Sequence, residues 1–186
     1  LVNCSKVTIN DRQAAYDATT YLIGKGRKKI AHFRGSYMPQ NSIDRFLGYK
    51  KALEDNNIPY DPTLVYVCDN NTDLEDGYAN AIKAIAEHPH LDGIFTVTDM
   101  VAVGVLKYLN EVGILMPKQI AIVGFCNSFV TEVTTPKLST VDQPGFEIGR
   151  VAASVLFDEI NSKKRNEPVV FQSIELGTSI LEREST

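Results

Sequence analysis

Residues 92–127 read DGIFTVTDMVAVGVLKYLNEVGILMPKQIAIVGFCN, and this stretch decides the fold. It opens on an apolar run, Gly93 to Val97, and closes on a second, Ile120 to Phe125. Between them Ala102, Val105, Leu106 and Leu109 recur at helical spacing. Asp99 stands where a helix N-cap belongs, and Gly113 where a helix ends in the left-handed conformation. An apolar strand, a helix and a second apolar strand form one βαβ unit. Continuous apolar strands joined by helices predict a parallel sheet covered on both faces.

Working outward, the same alternation recurs. Ile30 to Phe33 and Leu64 to Cys68 are strand candidates. After the first, Ser42 can cap a helix with Phe46, Tyr49 and Leu53 on one face, ended by Asn56-Asn57-Ile58-Pro59. After the second, Thr72 or Asp73 can cap a helix with Tyr78, Ala81, Ile82 and Ile85 inward, stopped at Pro89. A helix over about 12–25 precedes the series. An irregular stretch over 127–136, a helix over about 145–162 and a strand over 169–176 follow it. The fold class is α/β.

The bulk numbers narrow the function. The 186 residues are 44% hydrophobic and 23% charged, an ordinary globular balance. The net charge of -4 argues against an isolated nucleic-acid-binding domain, which usually carries a basic stripe. The two dense basic runs, 25–29 and 163–165, sit where helices should end, and cations there complement the helix dipole. Three cysteines at wide spacing (Cys4, Cys68, Cys126) do not make a disulfide framework and fit a reducing cytoplasm. No run approaches the length of a membrane span, and the first residues lack a signal-peptide core.

Catalytic patterns are missing. No glycine pattern matches a phosphate loop. His88-Pro89-His90 lacks a third ligand at metal spacing and reads as an exposed turn. Cys126 follows a strand, but Gly124-Phe125-Cys126-Asn127 lacks the second glycine of a nucleophile elbow. Neither a metal nor a cofactor is expected, and the chain does not read as an enzyme. Polar residues do collect at the carboxyl ends of the strands, where open α/β sheets bind ligands. They are Asn41 and Arg45 after the first strand, Asn70, Asn71 and Thr72 after the second, Thr98 and Asp99 after the third, and Cys126 and Asn127 after the fourth. Amides, hydroxyls and a guanidinium beside aromatics suit a neutral polyol. Asp99 reads first as a cap. Arg45, with no evident partner in the sequence, reads as a ligand fork.

Six segments, taken in order, resemble the lactose-repressor/galactose-repressor (LacI/GalR) family of transcriptional regulators. They are residues 21–30 (YLIGKGRKKI), 41–48 (NSIDRFLG), 99–104 (DMVAVG), 116–127 (MPKQIAIVGFCN), 138–144 (LSTVDQP) and 180–185 (ILERES). The resemblance implies a two-lobed fold of the periplasmic-binding-protein-like type I class. A small effector, a carbohydrate in many members, sits between the lobes and biases a cytoplasmic homodimer's grip on operator DNA. It places Asn41, Arg45, Thr72, Thr98 and Cys126 at effector-contacting positions and Gln143 near a crossover. Cys126 departs from the aspartate many members carry, and a thiol accepts hydrogen bonds poorly. Asn127 next to it, or a water, is the expected substitute.

The resemblance further implies that the helix-turn-helix head and most of the first lobe lie outside this chain. Residues 8–140 and 167–186 are then expected to form the C-terminal lobe. Residues 141–166 would supply a crossover and one helix of the other lobe. That helix carries an apolar stripe (Ile148, Val151, Ala152, Val155, Leu156, Ile160), expected to pack on its own lobe, a neighbouring copy or a dimer counterpart. An alternative reading is a secreted sugar receptor of a transporter or chemosensor. The terminal ILERES segment and the free cysteines favour the regulator.

Overall fold

The computed structural model describes residues 3–68 and 73–186, in two compact units. The larger comprises residues 11–142 and 179–186. Its elements are α1 (Asp11–Gly24), β2 (Ile30–Gly35), α2 (Gln40–Asp55), β3 (Val65–Cys68), α3 (Leu74–Glu87), β4 (Gly93–Thr96), α4 (Asp99–Glu111), β5 (Ala121–Phe125), α5 (Val130–Val133), β6 (Ser139–Asp142) and β8 (Ser179–Leu181). The smaller comprises residues 1–10 and 143–178, with β1 (Lys6–Ile9), α6 (Gly145–Lys164) and β7 (Ser173–Leu176).

In the larger unit the strands run β3-β2-β4-β5-β6-β8. All pair in parallel except β8, which closes the edge antiparallel to β6. This is the parallel α/β sheet expected from the βαβ alternation, with the periplasmic-binding-protein-like class that the resemblance implies. Side chains alternate across β2. Ala31 and Phe33 join the apolar cluster with Ile94, Ile122 and the inner faces of α3 and α4. Ile30, His32 and Arg34 face the other way, toward α1 and α2. There Tyr49 of α2 donates to the Ile30 carbonyl at 2.8 Å and stacks on His32. Fully buried Phe33, Phe95, Phe125 and Leu109 each contribute about 1.5–3 kcal/mol of burial. Helices α3 and α4 approach closely because Gly104 lacks a Cβ, which would lie 2.0 Å from the Leu74 carbonyl oxygen.

The caps differ in part from those read in the sequence. Asp73 caps α3, accepting from the Glu75 and Asp76 amides. Ser42 does not cap α2: the helix starts two residues earlier behind Pro39, and Ser42 lies buried with its hydroxyl oxygen unpartnered. For α4 the cap is Thr98, whose hydroxyl accepts from Val101, and Asp99 begins the helix. His88 is not in an exposed turn. It is buried, with Nε2 3.1 Å from the Thr63 carbonyl oxygen, because α3 runs up to it and packs over β3.

The polar strands β1, β6 and β8 escaped the sequence reading. The residues assigned to the C-terminal lobe from 167 onward also need correcting. Ser173–Leu176 pairs in parallel with β1, so residues 167–178 lie in the smaller unit, and the chain returns to the larger unit only at Ser179. The third crossing therefore falls at 178/179 rather than within 161–166. Within this chain the stripe on α6 is covered only in part. The helix contacts β1 and Val155 is buried, while Leu156 is 56% exposed and Ile160 39%.

Candidate functional site

The site grows from the carboxyl ends of β2, β4 and β5. Because α2 begins at Gln40, Arg45 falls on its second turn, facing α1 and β5. Its Nε donates to Asp11 Oδ1 at 2.8 Å, a terminal nitrogen lies 2.7 Å from the same oxygen, and the other donates to the Val97 carbonyl at 2.6 Å. The guanidinium carbon sits 3.6 Å from the centre of the Phe125 ring, a cation–π contact. Arg45 is only 4% exposed. It therefore has the intrachain partners that the sequence did not reveal, and Asp11 is a site residue that sequence reasoning missed. The two lie 34 residues apart, and nothing in the local pattern around Asp11 signals the pairing.

Cys126 stands next to this pair. The backbone turns sharply after β5, with φ of 115° at Cys126 and 54° at Asn127. Such values are uncommon for residues with a Cβ and cluster at functional turns. The turn is held by the Cys126 amide donating to the Val141 carbonyl at 3.0 Å. Burial pushes the Cys126 thiol up, opposed in part by the Arg45 guanidinium, so the sulfur stays protonated at neutral pH.

Asp99 anchors the turn from below. Its Oδ1 accepts from the Thr140 hydroxyl at 2.6 Å. Its Oδ2 accepts from the Ser128 amide at 2.7 Å and hydroxyl at 3.0 Å. Burial raises this carboxyl, while those donors favour its ionised form. Gly124 makes room for it, since a Cβ there would stand 2.4 Å from Asp99 Oδ1. Asp99 is thus a structural hub rather than a simple cap.

Asn127 is not the substitute acceptor expected beside Cys126. Its amide nitrogen donates to Asp142 Oδ1 at 2.8 Å, and its oxygen accepts from Arg183 at 2.9 Å. Arg183 also donates to the Leu138 carbonyl, and buried Ser185 exchanges hydrogen bonds with Ile122 and Ser139. The terminal ILERES segment therefore locks β5 to β6 beneath the turn.

Asn41 is exposed on the first turn of α2, its oxygen accepting from the Ser42 amide. Thr98 is half-buried and caps α4. Arg45, Thr98 and Cys126 thus share the carboxyl edge of β2, β4 and β5, with Asn41 at the head of α2. Gln143 is the first residue of the smaller unit after Asp142. Asn70, Asn71 and Thr72 lie outside the described residues. Among the described residues, no cluster of His, Cys, Asp and Glu could hold a metal, and no helix is long and apolar enough to cross a membrane.

Residues 19–186 match the periplasmic binding protein-like domain family. A regulator named RegA from Clostridium acetobutylicum is 36% identical over 181 residues, 96% of this chain and 52% of its own. The ribose operon repressor of Halalkalibacterium halodurans is 30% identical over 99% of this chain and 53% of its own. The chain spans about half the length of the curated relatives it matches. Among solved structures, a complex of the regulator CelR with cellobiose superposes with a TM-score of 0.90 at 29% identity, over 99% of this chain and 54% of that one. A LacI family regulator from Enterococcus faecium with bound ribose gives 0.86 at 27%, over 98% and 65%. With the fold, the carboxyl-edge site and the terminal lock all accounted for, the chain belongs to the periplasmic binding protein-like domain family, in the form that serves LacI-family transcriptional regulators as their effector-binding domain.

Proposed function

We propose that this domain senses a small polar effector, a carbohydrate or a close derivative, at the carboxyl edge of the larger unit's sheet. In the longer protein, occupancy is then converted into a change in a cytoplasmic homodimer's affinity for operator DNA. The observation that carries the reading is the Arg45–Asp11 pair. It is a buried, aromatic-backed guanidinium at the edge where open α/β sheets bind ligands, beside the strained turn at Cys126. Cellobiose and ribose in two structural relatives support a sugar-like occupant. Asn41, Thr98, Cys126 and Gln143, with Asn71 and Thr72, are the further contacts proposed. The domain recognises and reports; it does not catalyse.

Asp11 gives the sensing a route outward. It is the residue at which the chain enters the larger unit, and Asp142, bonded to Asn127, is the residue at which it leaves. A ligand drawing on Arg45 competes with Asp11 for the same donors. The test is a melting-temperature screen of the full-length regulator against ribose, cellobiose, other mono- and disaccharides and their acidic and phosphorylated derivatives, followed by operator binding with each hit. A ligand that raises the melting temperature and changes operator affinity supports the reading. A ligand that binds without changing operator affinity, or a screen without hits, overturns it.

A further inference from the structure

Two arginines are buried on the face of the sheet covered by α1 and α2, and their charges meet different surroundings. Arg45 is neutralised by Asp11. Arg34, 3% exposed, is not. Its Nε donates to the Gly35 carbonyl at 3.1 Å. Among the described residues, no carboxylate pairs with it and neither terminal nitrogen has a protein acceptor. Burying a guanidinium without a counter-charge is costly, so positions of this kind usually carry a partner.

Aromatic rings, and no carboxylate among the described residues, meet the Arg34 guanidinium. The guanidinium carbon lies 4.3 Å from the centre of the Tyr37 ring and 4.4 Å from that of Phe46. Both rings lie within cation–π distance of the guanidinium, and its terminal donors stay without a protein acceptor among the described residues. Such a fork matches the two oxygens of a carboxylate or phosphate. Lys50 adds a second cation nearby, its Nζ 4.6 Å from the Tyr60 ring centre and 5.9 Å from that of Phe46. Arg34 is the penultimate residue of β2, so the fork belongs to the same carboxyl edge as Arg45. The recessed position of this guanidinium suits a small ligand better than the backbone of a nucleic-acid duplex.

We propose that Arg34, braced by Tyr37 and Phe46, is the anion-recognising residue of the effector site, and that the effector carries a carboxylate or phosphate group. The inference rests on the effector-sensing reading above and narrows its ligand class to acidic or phosphorylated polyols. Arg45 serves the polyol part and Arg34 the anionic group. Arg34 is then a specificity residue, since a neutral sugar would leave its charge uncompensated.

The test uses the full-length regulator with inorganic phosphate, acetate and sulfate as probes, titrated by calorimetry into the native protein and Arg34→Met. Methionine keeps the apolar length between the rings and removes the charge. Phosphate or acetate should bind the native protein, with sulfate competing against phosphate. The dissociation constant should rise about tenfold or more in Arg34→Met, as loss of a charged hydrogen bond implies. Binding of phosphate alone points to a phosphorylated ligand, and binding of acetate alone to a carboxylic acid. No binding of either anion, or equal binding to Arg34→Met through other basic residues only, overturns the proposal.

If Arg34→Met does not fold, the side-chain Nε–H resonance of Arg34, assigned with Arg34→Lys, gives a readout on the native protein. Phosphate or acetate must shift it, and an unmoved resonance overturns the proposal. Operator binding separates this inference from the sensing reading. A neutral sugar that changes operator affinity equally in the native protein and Arg34→Met leaves the sensing reading standing and removes the anion requirement. Arg34-dependent anion binding with no effect of any compound on the operator does the reverse.

Discussion

Acidification should destabilise this fold through His32, and the size of the effect can be worked out. The ring is fully buried, stacked on Phe95 at 4.8 Å and Tyr49 at 5.1 Å between centroids. Its Nδ1 lies 3.1 Å from the Phe95 carbonyl oxygen, while Nε2 is buried with no partner. Burial above all, aided by the charges of Arg34 and Arg45, holds its pKa down to about 3 from an ordinary 6.5. The unfolded chain therefore takes up a proton as pH falls through 6.5, and the folded chain does not. Stability is fully present above that value and declines as pH drops toward the folded value. Between about pH 7.5 and pH 5.5 this one group should remove about 1.4 kcal/mol, a tenfold change in the unfolding equilibrium. The assay is urea unfolding at several pH values on the native protein and His32→Phe, which keeps a ring in the stack. The native protein should lose that much more stability over the interval than the variant. Parallel pH profiles would refute the buried, neutral histidine. The Asp99 carboxyl, raised by burial, acts with the opposite sign, and because it is common to both proteins the comparison with His32→Phe isolates the imidazole.

Three further outcomes follow from single contacts. Arg45→Met should abolish the effector response and also lower stability by about 3 kcal/mol, because Asp11 loses its partner and Phe125 its cation; denaturant unfolding that matches the native protein would make Arg45 purely a ligand contact. Gly124→Ala should cost about 1–3 kcal/mol, since its Cβ meets Asp99 Oδ1 at 2.4 Å, and a variant as stable as the native protein would show that the turn yields freely. Thr140→Val removes the hydroxyl donor to Asp99 and should cost about 1–3 kcal/mol at neutral pH, with the loss shrinking as the carboxyl is protonated in acid; a pH-independent loss would point to packing instead.

The parts of this fold legible in the sequence are those built from apolar runs. Strands β2, β3, β4 and β5 announce themselves because both faces of the sheet are covered and polar side chains are excluded from most of their length. Strand β6 is as buried, but reads Ser139-Thr140-Val141-Asp142, and its polar groups are satisfied by Ser185, Asp99 and Asn127. Those partners lie far away in sequence, so no local pattern could show that the polarity was tolerable. The same reasoning separates Arg45 from Asp11. A guanidinium after a strand is visible as a candidate, whereas its counter-ion sits at the start of a different helix and reads as an ordinary first-turn acid. Family resemblance supplied positions around the site, but not the hydrogen bonds that commit Asn127 inward.

The arrangement of charge explains why this edge suits recognition. Arg45 and Asp99 are both buried, and each is held by several partners from separate elements: α1 and the end of β4 for Arg45, β6 and the turn after β5 for Asp99. Each therefore fixes the carboxyl edge against drift, the preorganisation a small ligand needs to bind without first ordering its site. The two networks also end at the residues where the chain enters and leaves the larger unit, Asp11 and Asp142. Under the proposed sensing reading, an occupant that takes donors from Arg45 would free the Asp11 carboxylate at the start of the larger unit. On that reading, the ligand's differential affinity for the two hydrogen-bonding arrangements of Asp11 must reach the few kcal/mol that a population shift requires.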